Sequence, residues 1–199
     1  FLTQTPPSPL LSGLVGSEMC IRDSLPSGVK SVIGGYQNGL KEGIWETYRE
    51  DGSIFSIGNY SNDLQEGDWK YFYRNGNLSS EGKYLNSFKD GQWIYYYESG
   101  NLDEIGSFLS GLKHELWGRF YESGELKQEE KYSYGKLLNV SSFNLLDGNK
   151  IENSTFVDGN GQLYDYYENG NIFSISNYQN GNLEGKYEEF HINLSLIHI

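Results

Sequence analysis

GQWIYYYESGNL, residues 91–102, sets Trp93, Tyr95, Tyr96 and Tyr97 within five positions and follows them with a turn. Rings this dense line ligand sites, and they also build the cores of thin repeat proteins. The flanking sequence decides between the two. Trp45, Trp69, Trp93 and Trp117 stand 24 residues apart and are the only tryptophans in the chain. Tyr36, Tyr60, Tyr84 and Phe108 keep that spacing, as do Tyr48, Phe72, Tyr96 and Phe120, and Gly52, Gly76, Gly100 and Gly124. Several columns in register over four copies define a unit, G-x-Y-x-N-G-x-x-x-G-x-W-x-x-[YF]-[YR]-x-x-G-x-[LI].

Each unit reads as two turns and two strands. Asn38-Gly39 and Asn180-Gly181 mark one turn; Arg74-Asn75-Gly76 and Glu168-Asn169-Gly170 mark the other. Asn and Gly accept the positive φ that tight hairpins require. The intervening runs are short and rich in Trp, Tyr, Phe and Ile, which is strand composition. The expected fold is all-β: an elongated antiparallel meander of tandem 24-residue β-hairpins, forming one twisted layer. Twelve to fourteen strands would extend roughly 60 Å at about 4.8 Å per strand.

Alternation sends Trp93, Tyr95 and Tyr97 to one face and Ile94 and Tyr96 to the other. A single layer has no second sheet to bury against, so its rings must lie over neighbouring strands. Gly58, Gly82 and Gly106 suit that role, having no side chain in the way. The Trp column and the columns of Tyr36 and Tyr48 are therefore read as structural core. Once these columns are set aside, the positions after each Trp remain free to vary. Glu46, Thr47, Lys70, Tyr71, Ile94, Tyr95 and Arg119 are the candidate binding residues.

The ends depart from the pattern. Met19, Cys20 and three of the four prolines lie in residues 1–24, and GLVGSEMCIRDS (13–24) resembles translated sequencing adapter. SLIHI (195–199) looks like its counterpart. Residues 1–24 are expected to be non-native and disordered, and 193–199 non-native. Between them, 25–34 is a lead-in, 35–130 holds four regular units and 131–157 a degenerate one. Residues 158–192 hold two further units, the last cut short.

The unit resembles the MORN-repeat variant family, most closely in YLNSFKDGQWIYYYESGNL (84–102) and YQNGNLEGKYEEF (178–190). The segment DGNGQLYDYYENG (158–170) also matches the family's habit. The resemblance covers roughly 35–130 and 158–190. It implies an elongated sheet of hairpins and a role in binding rather than catalysis. Many bacterial members carry the label of a toxin–antitoxin system antitoxin component. The chain departs from the pattern at Glu115, where Gly is expected, and through 131–157.

The net charge is −12; residues 1–24 contribute −1 through Glu18, Arg22 and Asp23, which leaves −11 for the rest. That argues against nucleic acid and anionic membranes, which need a basic footprint, and is compatible with a basic protein partner. There is no G-x-S-x-G, P-loop or metal-ligand spacing. His114 reads as a solvated turn residue. Asp158, Asn160 and Gly161 mimic part of a calcium loop, but Phe156 and Tyr167 stand where its end carboxylates belong, so the segment reads as a turn. No catalytic residue, metal or cofactor is expected. The function read from the sequence is a non-catalytic scaffold for protein–protein interaction, with the antitoxin role as its specific form. The alternative is a carbohydrate or cell-wall binding module that uses the aromatic rings.

Overall fold

A computed structural model describes residues 18–24, 30–152, 155–192 and 196–198, with side chains from 31 to 152 and from 155 to 192. The chain is all-β. The first sheet has eleven strands in sequence order: β1 Glu18–Ser24, β2 Lys30–Gln37, β3 Leu40–Tyr48, β4 Ile54–Ser61, β5 Leu64–Phe72, β6 Leu78–Leu85, β7 Phe88–Tyr96, β8 Leu102–Leu109, β9 Leu112–Phe120, β10 Leu126–Ser133 and β11 Lys136–Val140. A small hairpin follows, β12 Phe143–Asn144 with β13 Lys150–Ile151. A second sheet then comprises β14 Gly161–Tyr166, β15 Ile172–Gln179, β16 Asn182–Phe190 and β17 Leu196–His198. All pairings are antiparallel between sequence neighbours, so the architecture is the expected meander.

Two alternating turns drive it. At one end of the hairpins, two successive residues have positive φ, as at Asn38 (54°) and Gly39 (81°), Asn62 (50°) and Asp63 (67°), and Asn180 (50°) and Gly181 (76°). This type I′ geometry matches the right-handed twist of the flanking strands. At the other end, Gly76 donates its amide to Tyr73 O and Tyr73 donates to Asn77 O; Gly52, Gly100 and Gly124 repeat the pattern.

The tryptophans form the core of a single layer. Trp45, Trp69, Trp93 and Trp117 are at most 3% exposed. Each indole lies over a glycine of the preceding strand: Trp45 over Gly34, Trp69 over Gly58, Trp93 over Gly82 and Trp117 over Gly106. A Cβ at any of these glycines would sit 2.1–2.4 Å from the indole Cδ2. The indole nitrogens of Trp69, Trp93 and Trp117 donate to the carbonyls of Asn59, Lys83 and Ser107 at 3.1, 2.9 and 3.0 Å. Trp45 Nε1 has no hydrogen-bond partner among the described residues.

The rings continue as a ladder. Tyr36, Trp45, Tyr60, Trp69, Tyr84, Trp93, Phe108, Trp117 and Tyr132 meet edge to face, with centroids 4.9–6.5 Å apart and planes at 74–86°. Each such contact contributes about 0.5–1.5 kcal/mol beyond area burial. Lys41, Lys89 and Lys113 lay their ammonium groups over Trp45, Trp93 and Trp117 at 4.6, 4.2 and 4.1 Å. Their stems help to dry the rings that no second sheet covers.

A further column braces one repeat to the next. Tyr73, Tyr97, Tyr121 and Tyr167 donate their hydroxyls to the carbonyls of Tyr96, Phe120, Asn144 and Phe190, each 23 residues on. Arg49 reaches Phe72 O in the same way. This is the role of the [YR] position in the unit.

The first sheet ends earlier than a continuous meander of twelve to fourteen strands. The next residues in the ring-over-glycine columns are Glu130 for Gly and Ser141 for Trp, so the packing device is replaced at both positions. Glu130 is buried and receives Arg119 at 3.3 Å and the Tyr132 hydroxyl at 2.7 Å. Leu137, Phe143 and Phe156 supply a new core at the corner. The corner is tied by backbone bonds from Leu137 N to Gly181 O, Gly159 N to Leu138 O and Gly181 N to Gly159 O. A Cβ on Gly181 would lie 2.8 Å from Leu137 O, so only glycine permits this approach.

The terminal segments correct one expectation in part. Glu18–Ser24, inside the segment expected to be disordered, pairs with β2 as β1, and Leu196–His198 pairs with β16 as β17. The unpaired edge of a sheet is a template for any adjacent extended chain. Residues 1–17, the first half of the lead-in (25–29), 153–154, 193–195 and 199 lie outside the described residues.

Candidate functional site

The structure divides the seven candidate binding residues between two faces. Thr47, Tyr71, Tyr95 and Arg119 share the face of the tryptophans, and Glu46, Lys70 and Ile94 occupy the opposite one. They do not converge on one site.

On the tryptophan face the candidates are committed to packing. Thr47 Oγ1 and Ser56 Oγ share a hydrogen bond. Tyr71 stacks on Trp69 at 6.0 Å, leans on Trp93 at 6.3 Å, and shares a hydrogen bond with the Tyr84 hydroxyl at 3.1 Å. Tyr95 lies between Trp93 and Trp117, at 6.2 and 6.3 Å, and its hydroxyl accepts the Lys89 ammonium at 2.8 Å. Burial, reinforced by the nearby Glu104 charge, raises the Tyr95 phenol well above its ordinary range. Burial lowers the Lys89 ammonium.

The opposite face is looser. Glu46, Lys70 and Ile94 occupy equivalent positions on β3, β5 and β7, and Gly118 follows on β9. Lys70 pairs with Glu81 at 3.5 Å with half its side chain exposed, and Tyr96 donates to the same carboxylate at 2.8 Å. Lys70, Glu81, Lys83, Gln92 and Ile94 line a trough of about 630 Å³. Along the type I′ turn rim of this face, Leu85, Phe88 and Leu112 are exposed, Phe88 by 58%.

Arg119 alone among the candidates reaches the second sheet. Its guanidinium donates to Asp165 of β14 at 3.1 Å and to Glu130 of β10 at 3.3 Å. Burial opposes the charge, but the two carboxylates outweigh it and the pKa is raised. Beside this clamp, a cleft of about 540 Å³ opens between the sheets, walled by Tyr97, Tyr121, Tyr166, Tyr167 and Phe173, with Lys127 and Glu168 at its polar points. The residues of this cleft other than Arg119 escape a reading by columns. The one signal available is that Lys127 sits where other units hold Phe55, Ser79 and Asp103.

His114 is not simply solvated. Its Nδ1 accepts the amide of Tyr134 at 3.4 Å and its ring packs on Tyr134 at 5.0 Å. Glu42 and Glu66 receive the turn amides of Asn62 and Asn86 in equivalent positions, so His114 substitutes as the acceptor. Asp158 and Gly159 form the expected turn, both with positive φ.

The MORN repeat variant family matches four segments, residues 41–62, 65–86, 89–109 and 159–180. The first three run from just after one type I′ turn to the next, and the fourth begins within the turn at Asp158 and Gly159. The unit that contains Glu115 and Arg119 is not among them. No curated protein matches the chain. Among solved structures, it is similar to a chain in the crystal structure of accessory secretory protein 1,2 and 3 in Streptococcus pneumoniae, at 18% identity and a TM-score of 0.19. That similarity covers 58% of this chain and 17% of the other, so the chain spans under a fifth of that protein's length.

Proposed function

We propose that this chain is a non-catalytic repeat scaffold that binds another protein across the face of its long sheet opposite the tryptophans. The supporting observation is the row Glu46, Lys70, Ile94 and Gly118. It crosses alternate strands at about 9.6 Å intervals, and its residue type changes in every repeat over an invariant skeleton. The exposed rim of Leu85, Phe88 and Leu112 adds apolar area to this row. An excess of negative charge favours a basic partner through faster encounter and sign complementarity.

Neutralising a toxin is the specific form of this reading, and so is a bacterial setting; both rest on the family resemblance. The rings of the ladder favour the carbohydrate alternative less, because Tyr71 and Tyr95 are already stacked on tryptophans. The test is affinity purification from the source organism with the wild-type chain and with Phe88→Asp and Ile94→Asp variants whose circular dichroism is unchanged. A specific protein recovered by the wild type and lost from both variants supports the reading. Recovery of no specific protein, or equal recovery by all three, defeats it. For the antitoxin form, co-expression must relieve the growth arrest caused by a neighbouring gene product.

A further inference from the structure

The cleft between the two sheets has a composition that the repeat does not require. Its wall is aromatic, with Tyr97 and Tyr121 from the first sheet facing Tyr166, Tyr167 and Phe173 from the second. The Tyr97, Tyr121 and Tyr167 hydroxyls are held by backbone carbonyls, which fixes their rings. Tyr167 and Phe173 meet edge to face at 5.2 Å. These are pre-set surfaces, and ordering them costs a ligand little.

The charges of the cleft sort into used and unused. Arg119 is consumed by Asp165 and Glu130. Lys127 is half-buried, lies over Tyr121 at 5.7 Å and Phe143 at 5.3 Å, and has no ion pair among the described residues. Glu168 is exposed and likewise unpaired among them. These two groups make no ion pair among the described residues, lie near enough for the Glu168 carboxylate to favour the Lys127 charge, and carry no net charge between them. A strongly charged ligand would meet an opposing group. A neutral ligand with apolar ring faces and several hydroxyls would use both groups and the aromatic wall together.

We infer that the cleft between the sheets binds a neutral oligosaccharide, whose sugar faces stack on Tyr166, Tyr167 and Phe173 and whose hydroxyls meet the Lys127 ammonium and the Glu168 carboxylate. The volume is within the range of small-ligand sites. The site lies away from the row of Glu46, Lys70 and Ile94, so it stands independently of the protein-binding reading.

The test is saturation-transfer NMR on the full chain with cellopentaose, maltopentaose and chitopentaose as probes at millimolar concentration. At least one probe should receive saturation at its ring C–H protons. Lys127→Met, which keeps the apolar stem over Tyr121 and Phe143, should weaken that binding about tenfold by removing a charged hydrogen-bond donor. Phe173→Ala should weaken it at least as much, and Lys70→Ala on the far face should leave it unchanged. If Phe173→Ala fails to fold, Lys127→Met decides. Absence of transfer to all three probes, or transfer unaffected by Lys127→Met, overturns the inference.

Discussion

Gly82→Ala tests the packing device that makes a one-layer sheet stable. The added Cβ would stand 2.4 Å from Trp93 Cδ2 and 2.5 Å from its Cε2 and Cγ. Ordinary carbon contacts lie near 3.5–4.0 Å, so the ring must retreat by more than about 1 Å. It has nowhere to go. Trp93 is fully buried, its nitrogen is bonded to Lys83 O at 2.9 Å, Tyr84 meets it edge-on at 5.1 Å, and Lys89 covers it at 4.2 Å. Overpacking costs about 1–3 kcal/mol and loss of the indole hydrogen bond about 1 kcal/mol. Replacing glycine in a strand interior returns about 0.5–1 kcal/mol. The net expectation is a destabilisation of about 1–3.5 kcal/mol, measured by urea unfolding with tryptophan fluorescence and circular dichroism. Gly35→Ala is the internal control. Its Cβ would meet only Glu42 O, at an ordinary 3.6 Å, so it should be neutral or stabilise by up to about 1 kcal/mol. In a double-mutant cycle, Trp93→Leu should relieve Gly82→Ala with a coupling of at least about 1 kcal/mol. The ring-over-glycine account is refuted if Gly82→Ala lies within about 0.5 kcal/mol of wild type, or if the two changes are additive.

Two further outcomes follow from the same geometry. Glu115 holds φ at 60° where the other units have glycine, so Glu115→Gly should raise stability by about 0.5–1 kcal/mol, read as a higher urea midpoint; an unchanged or lower midpoint contradicts this. Burial raises the phenols of Tyr84, Tyr95 and Tyr132 well above their ordinary 10 and, with adjacent carboxylates, pushes Tyr96 and Tyr97 up to about 12. The unfolded chain releases those protons near pH 10 while the folded chain keeps them. Their contribution to stability is therefore complete below pH 10 and is lost as pH rises through about 12. Tyrosinate absorbance and loss of circular dichroism should rise together in that window; free titration at pH 10 with the fold intact would count against buried phenols.

The sequence alone determined the repeat, the two turns of each hairpin, the face of each ring and the glycines that the indoles cover. These are legible because each repeat packs almost wholly on its neighbours, so identical local contacts recur at a fixed spacing. Glu115 was visible as a departure, and Arg119 as one of the variable residues that follow each Trp. The acceptor role of His114 was not, because it depends on an amide in the next repeat. What only the tertiary structure decided is the end of the first sheet and the cleft beside it. The paired change to Glu130 and Ser141 removes the packing that propagates the layer, but it does not say where the chain goes next. That is set by contacts such as Arg119 with Asp165, 46 residues apart, and Leu137 with Gly181. Such contacts have no period, and a pattern read by period carries information only about neighbours.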